Sequence, residues 1–186
     1  MTPILVEDPA VEPVSLPEMK LHPRADGDAE DELIGGLVTA ARLTVEAASR
    51  RVLVSQRWRV VLDRWPETGL LLLPLSPIIA VESVSVRDSS GAETEIAPNR
   101  IEADTLSDPQ GLAVLPPPQS PLARNGIAVA VRAMFWPAPE DVPATLRLAI
   151  RLLVARWFEN RGDMTGEQTL PPETLALVTQ FRRARL

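Results

Sequence analysis

The hydrophobic period changes twice along this 186-residue chain, and no other feature restricts its fold as strongly. Leu33, Leu37, Ala40, Ala41, Thr44, Val45 and Ala48 recur at three and four positions. That spacing predicts an amphipathic helix of about 20 residues ending near Arg50. From Gln56 the period falls to two. Trp58, Val60 and Leu62 lie on one face, with Arg57, Arg59, Val61 and Asp63 on the other, which predicts a strand. Leu70 to Leu73 and Ile78 to Arg87 continue as strands. Asp88-Ser89-Ser90-Gly91 then predicts a hairpin turn with Ala92 to Ile96 returning antiparallel. Arg100 to Ala103 and Leu112 to Leu115 are expected as short strands. In Ile127 to Phe135 the alternation places Ile127, Val129, Val131, Ala133 and Phe135 together. After Asp141-Val142-Pro143, a helix cap with proline in the first turn, the helical period resumes through Leu146, Ile150, Leu153, Trp157 and Phe158 and is expected to stop near Gly162. Pro171-Pro172-Glu173 opens a last helix with Leu175, Val178 and Phe181 on one side.

At the other end, Ser15-Leu16-Pro17-Glu18 has the capping-box pattern and predicts a short helix through about Leu21, stopped before Pro23. Residues 1–14 hold three prolines and three acids without periodicity and are expected as an extended arm. The expected fold is therefore α+β, a helical bundle carrying an inserted antiparallel β region. Two helices fall within about 15–50, the β insertion at about 56–135, and two helices within about 143–184. Residues 15–186 are expected as one domain. With aromatics at 4% and no Tyr, its core must be built from Leu, Val, Ile and Ala, and 19 prolines against 9 glycines favour fixed turns over long uninterrupted helices.

The chemistry is sparse. There is no Cys, which removes disulfides, thiolate metal sites and cysteine nucleophiles. The single His22 sits in a Leu-His-Pro turn and cannot build a histidine metal site. No phosphate-cradling glycine loop and no nucleophile elbow occur. Asp26 to Glu32 reads as the acidic start of a helix, favoured by the dipole, since its glycine and distal Glu do not fit a calcium loop. Glu140-Asp141 reads as a helix start too. An acid-pair hydrolase needs two carboxylates held across a cleft, and no motif here points to one. Pro116-Pro117-Pro118 is a rigid connection, and the four Trp read as packing residues, only Trp58 standing between basic neighbours. No cofactor or metal is expected. The first thirteen residues lack a basic start and an apolar run, so no signal peptide is expected, and the longest apolar stretch, Gly69 to Leu75, is too short to span a membrane.

Charge is distributed unevenly. The net charge is −6, which argues against a DNA-coating role. Residues 1–50 carry ten acids and four bases, and residues 144–186 carry four acids and seven bases. Copies meeting acidic face to basic face would use this asymmetry. Asp28, Asp31 and Glu32 are the candidate acids of such a subunit interface, and Arg147 and Arg151 the candidate bases. The end of the chain, Phe181, Arg182, Arg183, Arg185 and Leu186, is a basic, apolar-backed turn. Its arginines suit the negative end of a helix dipole, acids on a partner, or DNA phosphates.

Several segments, taken in order, carry a resemblance. They are Pro13-Val14-Ser15-Leu16-Pro17-Glu18-Met19-Lys20, Arg24-Ala25-Asp26, Asp31-Glu32-Leu33-Ile34, Ala40-Ala41-Arg42 and Val45-Glu46. Arg51-Val52-Leu53, Gln56-Arg57-Trp58, Leu62-Asp63-Arg64-Trp65-Pro66, Leu73-Pro74, Pro77-Ile78 and Val81-Glu82-Ser83-Val84 follow. The set closes with Val142-Pro143, Leu146-Arg147, Ala149-Ile150, Trp157-Phe158-Glu159-Asn160-Arg161-Gly162 and Leu170-Pro171-Pro172. This ordered set resembles the head–tail connector, or adaptor, family of long-tailed phages and the equivalent subunit of gene transfer agents. Phe158 stands where the family often has Tyr, and Met134 where it usually has Gly. The resemblance implies a non-enzymatic virion protein at the head–tail junction. It also implies a ring, commonly of twelve copies, beneath the portal protein, made in the bacterial cytoplasm. Such a ring extends the DNA channel without sequence-specific binding and offers a docking surface to a stopper or tail-side neck protein. The residues at 181–186 are then expected to dock to the portal. The alternatives are another neck or tail component, such as a stopper or tail terminator, and more remotely the hydrolase.

Overall fold

The computed structural model describes residues 1–20, 30–107, 109–160 and 170–182. In chain order its elements are β1 (Thr2–Glu7), α1 (Leu16–Lys20), α2 (Asp31–Ser49), β2 (Gln56–Leu62), β3 (Leu70–Leu72), β4 (Ile78–Arg87), β5 (Glu93–Glu95), β6 (Ile101–Asp104), β7 (Gly111–Val114), β8 (Ile127–Ala133), α3 (Ala144–Glu159) and α4 (Pro172–Thr179). The fold is α+β with antiparallel sheets. It divides into two compact units: residues 1–9 with 55–135, and residues 10–54 with 136–186.

The first unit is all β. One sheet has the order β1-β2-β8-β4-β5, and a second, three-stranded sheet has the order β3-β7-β6. In β2, Val60 and Leu62 are buried as expected, together with Gln56, whereas Trp58, expected on the same face, is half-buried like Arg57, Arg59 and Val61. In the central strand β8, Ile127, Val129, Val131 and Ala133 are buried. The strand ends at Ala133, so Phe135, expected on that face, is exposed instead. The β4–β5 turn forms because Asp88 Oδ1 accepts the backbone N–H groups of Ser90 (2.8 Å) and Ala92 (3.0 Å), while Gly91 takes φ 88°, a left-handed value that glycine adopts without steric cost. Buried Gln110 links the two sheets. Its Oε1 accepts from Ile78 N (2.6 Å) and its Nε2 donates to Ile78 O (2.9 Å). The supposed arm differs from expectation. Its first residues form β1, paired antiparallel with β2 from Thr2–Val61 to Glu7–Arg57. Without periodicity in the segment, only the pairing partner reveals the strand.

The second unit holds α1 to α4 around one apolar cluster, including Val14, Met19, Ile34, Val38, Ala41, Val45, Leu146, Ile150, Leu153 and Val178. The capping box at α1 is complete: Ser15 N and Oγ donate to Glu18 Oε2 (2.9 and 3.0 Å), and Glu18 N donates to Ser15 Oγ (3.4 Å). Helix α2 ends where Arg50 adopts φ 59° and its N–H reaches Glu46 O. Its buried face is turned from the expected one. Ile34, Val38, Ala41, Arg42, Val45, Glu46 and Ser49 are buried, whereas Leu33 and Ala40 are exposed. Counting only apolar residues misplaced the stripe, because Arg42 and Glu46 neutralise each other and go inside. In α3 the expected residues Leu146, Ile150 and Leu153 are buried, and Trp157 and Phe158 pack partly on the cluster. Asp141 does not cap α3. It closes the preceding 3-10 turn, Pro139–Asp141, by accepting from Ala138 N at 3.2 Å. On α4, Val178 is buried but Leu175 points to solvent.

Candidate functional site

Charged groups in the second unit are organised around two centres, Glu18 and Arg42. Glu18, fixed by its cap, accepts from Arg147 Nη2 (2.5 Å) and Arg151 Nη2 (2.8 Å), which lie one turn apart on α3. The Ser15 backbone N–H, then the Ser15 hydroxyl and Arg147, lower its pKa to about 2. The two candidate interface bases are therefore brought together and held within their own chain, at one-quarter side-chain exposure. Of the candidate acids, Asp31 pairs with Lys20 Nζ at 2.5 Å, and Glu32 is exposed. Asp28 lies outside the described residues, as do His22, Arg183, Arg185 and Leu186.

Arg42 forms the second centre, one that the sequence reading missed. Its side chain is fully buried. Nε donates to Glu12 Oε2 (2.8 Å) and Nη1 to Glu46 Oε2 (3.0 Å). Glu12 also accepts from Thr39 Oγ1 (3.0 Å), and Glu46 Oε1 accepts from Leu53 N (2.8 Å). Leu53 O in turn accepts from Trp136 N at 3.0 Å. The chain enters this unit at Ala10, leaves after Val54 and returns at Trp136, so each passage is fastened close to its end. The i,i+4 spacing of Arg42 and Glu46 was a legible signal. Glu12, thirty residues earlier, gave none.

In the first unit an Arg–Glu lattice covers part of the five-stranded sheet. Glu82 takes Arg57 (2.5 Å) and Arg132 (2.8 Å), and Glu93 takes Arg87 (2.5 Å) and Arg59. The Arg87 and Arg59 hydrogen bonds hold Glu93 below the usual carboxylate range. Asp88 and Asp104 are lowered too, chiefly by the hydroxyls of Ser90 and Ser107. Acid-pair hydrolysis needs a carboxyl kept protonated near neutral pH. Glu93, Asp88 and Asp104, like Glu18, are pushed the opposite way. Among the described residues no group of His, Asp or Glu is placed to hold a metal ion, and no helix is long and apolar enough to cross a membrane.

At the C-terminal end, Phe181 packs inward. Its ring meets Trp136 edge-on, with centroids 6.3 Å apart, and its carbonyl accepts from Arg51 Nε at 2.8 Å. Arg182 is exposed. Three tryptophans are packing residues: Trp65 is buried, and Trp136 and Trp157 flank the helical cluster, while Trp58 is half-buried on β2.

No family model matches the chain, and no curated protein matches it. Solved structures do. A chain in the neck of an empty gene transfer agent particle, computed with C6 symmetry, matches at a TM-score of 0.80 and 24% identity, over 100% of this chain and 97% of that one. A chain in the virion of a native gene transfer agent particle matches at 0.77 and 24%, with the same coverage. A chain in the neck of a native particle, computed with C12 symmetry, matches at 0.71 and 25%, over 98% and 97%. The chain therefore has the fold of these particle proteins over its whole length, in agreement with the resemblance carried by its sequence segments.

Proposed function

We propose that this chain is a structural, non-enzymatic protein of the neck of a phage-like particle, a gene transfer agent or a phage. In this reading it is the ring-forming head–tail adaptor. It binds beneath the portal, continues the DNA channel and presents a docking surface to the next neck or tail component. The observation that carries the proposal is the end-to-end likeness to chains of necks computed with C6 and C12 symmetry. A ring of identical subunits satisfies such symmetry through one heterologous interface that closes on itself. The chemistry of the described residues is consistent, since their clustered carboxylates are occupied by arginine or backbone donors and brace each unit internally. A net charge of −6 also suits a channel through which DNA slides without sticking.

The test is electron microscopy of the purified chain mixed with the portal ring encoded in the same genome. A second ring of density stacked on the portal supports the adaptor reading and counts the copies. A well-folded chain that leaves the portal bare, or that seats elsewhere in the neck, shifts the assignment to a stopper or tail terminator. Portal docking by the basic end is tested in the same assay by removing residues 182–186. Phe181 is kept because it packs against Trp136. Loss of portal density with unchanged circular dichroism is the expected result, and undiminished binding refutes it.

A further inference from the structure

Among the described residues nothing covers the apolar outer face of α2. Leu33, Gly36, Ala40, Leu43 and Ala47, spaced three and four apart, are all exposed, with Leu33 at 42% and Leu43 at 37%. They lie opposite the buried stripe of Ile34, Val38, Ala41 and Val45. A glycine inside a helix costs about 1 kcal/mol relative to alanine. Yet a methyl group built on Gly36 would meet nothing within 4 Å. The packing of the described residues does not require that glycine. It floors an open hollow lined by Glu32, Leu33 and Leu37.

A matching stripe occurs on α3. Leu148 (39% exposed) and Leu152 (37%) face solvent between Ala144 and Arg156, away from buried Leu146, Ile150 and Leu153. With the two helices antiparallel and Glu32 opposite Arg156, the register places Leu33 against Ala155, Gly36 against Leu152, Ala40 against Leu148 and Leu43 against Thr145. Every layer pairs a large residue with a small one, the arrangement that lets facing helices interdigitate closely. The register is chosen to join two exposed opposite charges: Glu32 is exposed, and among the described residues the Arg156 guanidinium approaches Glu173 at 3.7 Å with both side chains more than half exposed.

We infer that these two stripes are the two halves of the contact between copies: the α2 face of one subunit receives the α3 face of the next, with Leu152 seated over Gly36. This rests on the ring reading above and deepens it. Two different patches make the contact heterologous, as a closed ring of identical subunits requires. The interface is thus an apolar helix pair with one ion pair at its edge. Arg147 and Arg151 stay within the subunit on Glu18.

The chain has no cysteine, so a pair can be placed cleanly. In the full-length double variant Gly36→Cys/Leu152→Cys, mild oxidation should give covalent species of two, three and more copies on non-reducing gels. Each single variant should give no covalent dimer. Native mass spectrometry of the unmodified chain reports association independently, and Leu152→Glu should abolish it at unchanged circular dichroism. Oligomers that form without cross-linking overturn this interface and leave the ring reading standing. A dimer from Gly36→Cys alone overturns the heterologous contact, since like faces then meet. A chain that neither associates nor cross-links removes this contact as the one joining copies, and the portal experiment then decides the ring reading separately.

Discussion

Arg42 shows how a single residue can fasten a fold. Its guanidinium is out of water, and breaking such a pair from one side leaves uncompensated charge, here on Glu12 and Glu46. Arg42→Ala should lower unfolding stability by about 3–5 kcal/mol, as measured by denaturant titration. A loss near zero would mean that water reaches both carboxylates. Glu18 makes a different prediction. Its folded pKa of about 2 lies below the ordinary 4.5, so its contribution is complete above pH 4.5 and is lost as pH falls toward 2. Glu18→Gln can still reach the Ser15 N–H but carries no charge for Arg147 and Arg151. The variant should be less stable than the parent at pH 7, and the gap should close between pH 4.5 and 2. A pH-independent gap would show that packing, not charge, accounts for the loss. Of this network only the capping box was readable beforehand, because it is local. The arginines that complete it lie about 130 positions away.

Among the elements, α2 carries two opposed demands, and Gly36 separates them. An alanine there fits the helix and open space, so Gly36→Ala should raise the stability of the isolated chain by about 0.5–1 kcal/mol. The same methyl group occupies the floor on which Leu152 of the next copy is inferred to rest, so self-association should weaken. Thermal unfolding and native mass spectrometry measure the two effects, and a gain in both would argue against the inferred contact. The element itself was legible, with its length and its end at Arg50, because helical period is a local property. Its buried side was not, since Leu33 is an interior residue to any hydropathy count and only neighbours decide that Arg42 lies inside. The strands divide the same way. β2, β8 and the Asp88 hairpin were announced by alternation and turn chemistry, while β1 acquires its identity from β2.

For the whole molecule, the consequence of that pairing is that the first nine residues belong to the sheet unit although the next forty-five belong to the helical one. Removing residues 1–9 should bare the edge of β2, whose backbone groups then lack partners. Light scattering should show increased aggregation, with helical signal retained. An unchanged, monodisperse protein would mean that β1 contributes little. The sequence by itself determined the α+β class, the order of helix, β region and helix, the aliphatic core and the poverty of catalytic chemistry. All of these follow from composition and from periods read over a few residues. The tertiary structure decided what depends on distant partners: the division of the β region into two sheets, the arm as an edge strand, and Arg42 within the core. It also left the outer faces of α2 and α3 exposed. Burial is set by what packs against a residue, and those neighbours lie too far along the chain for any local pattern to name.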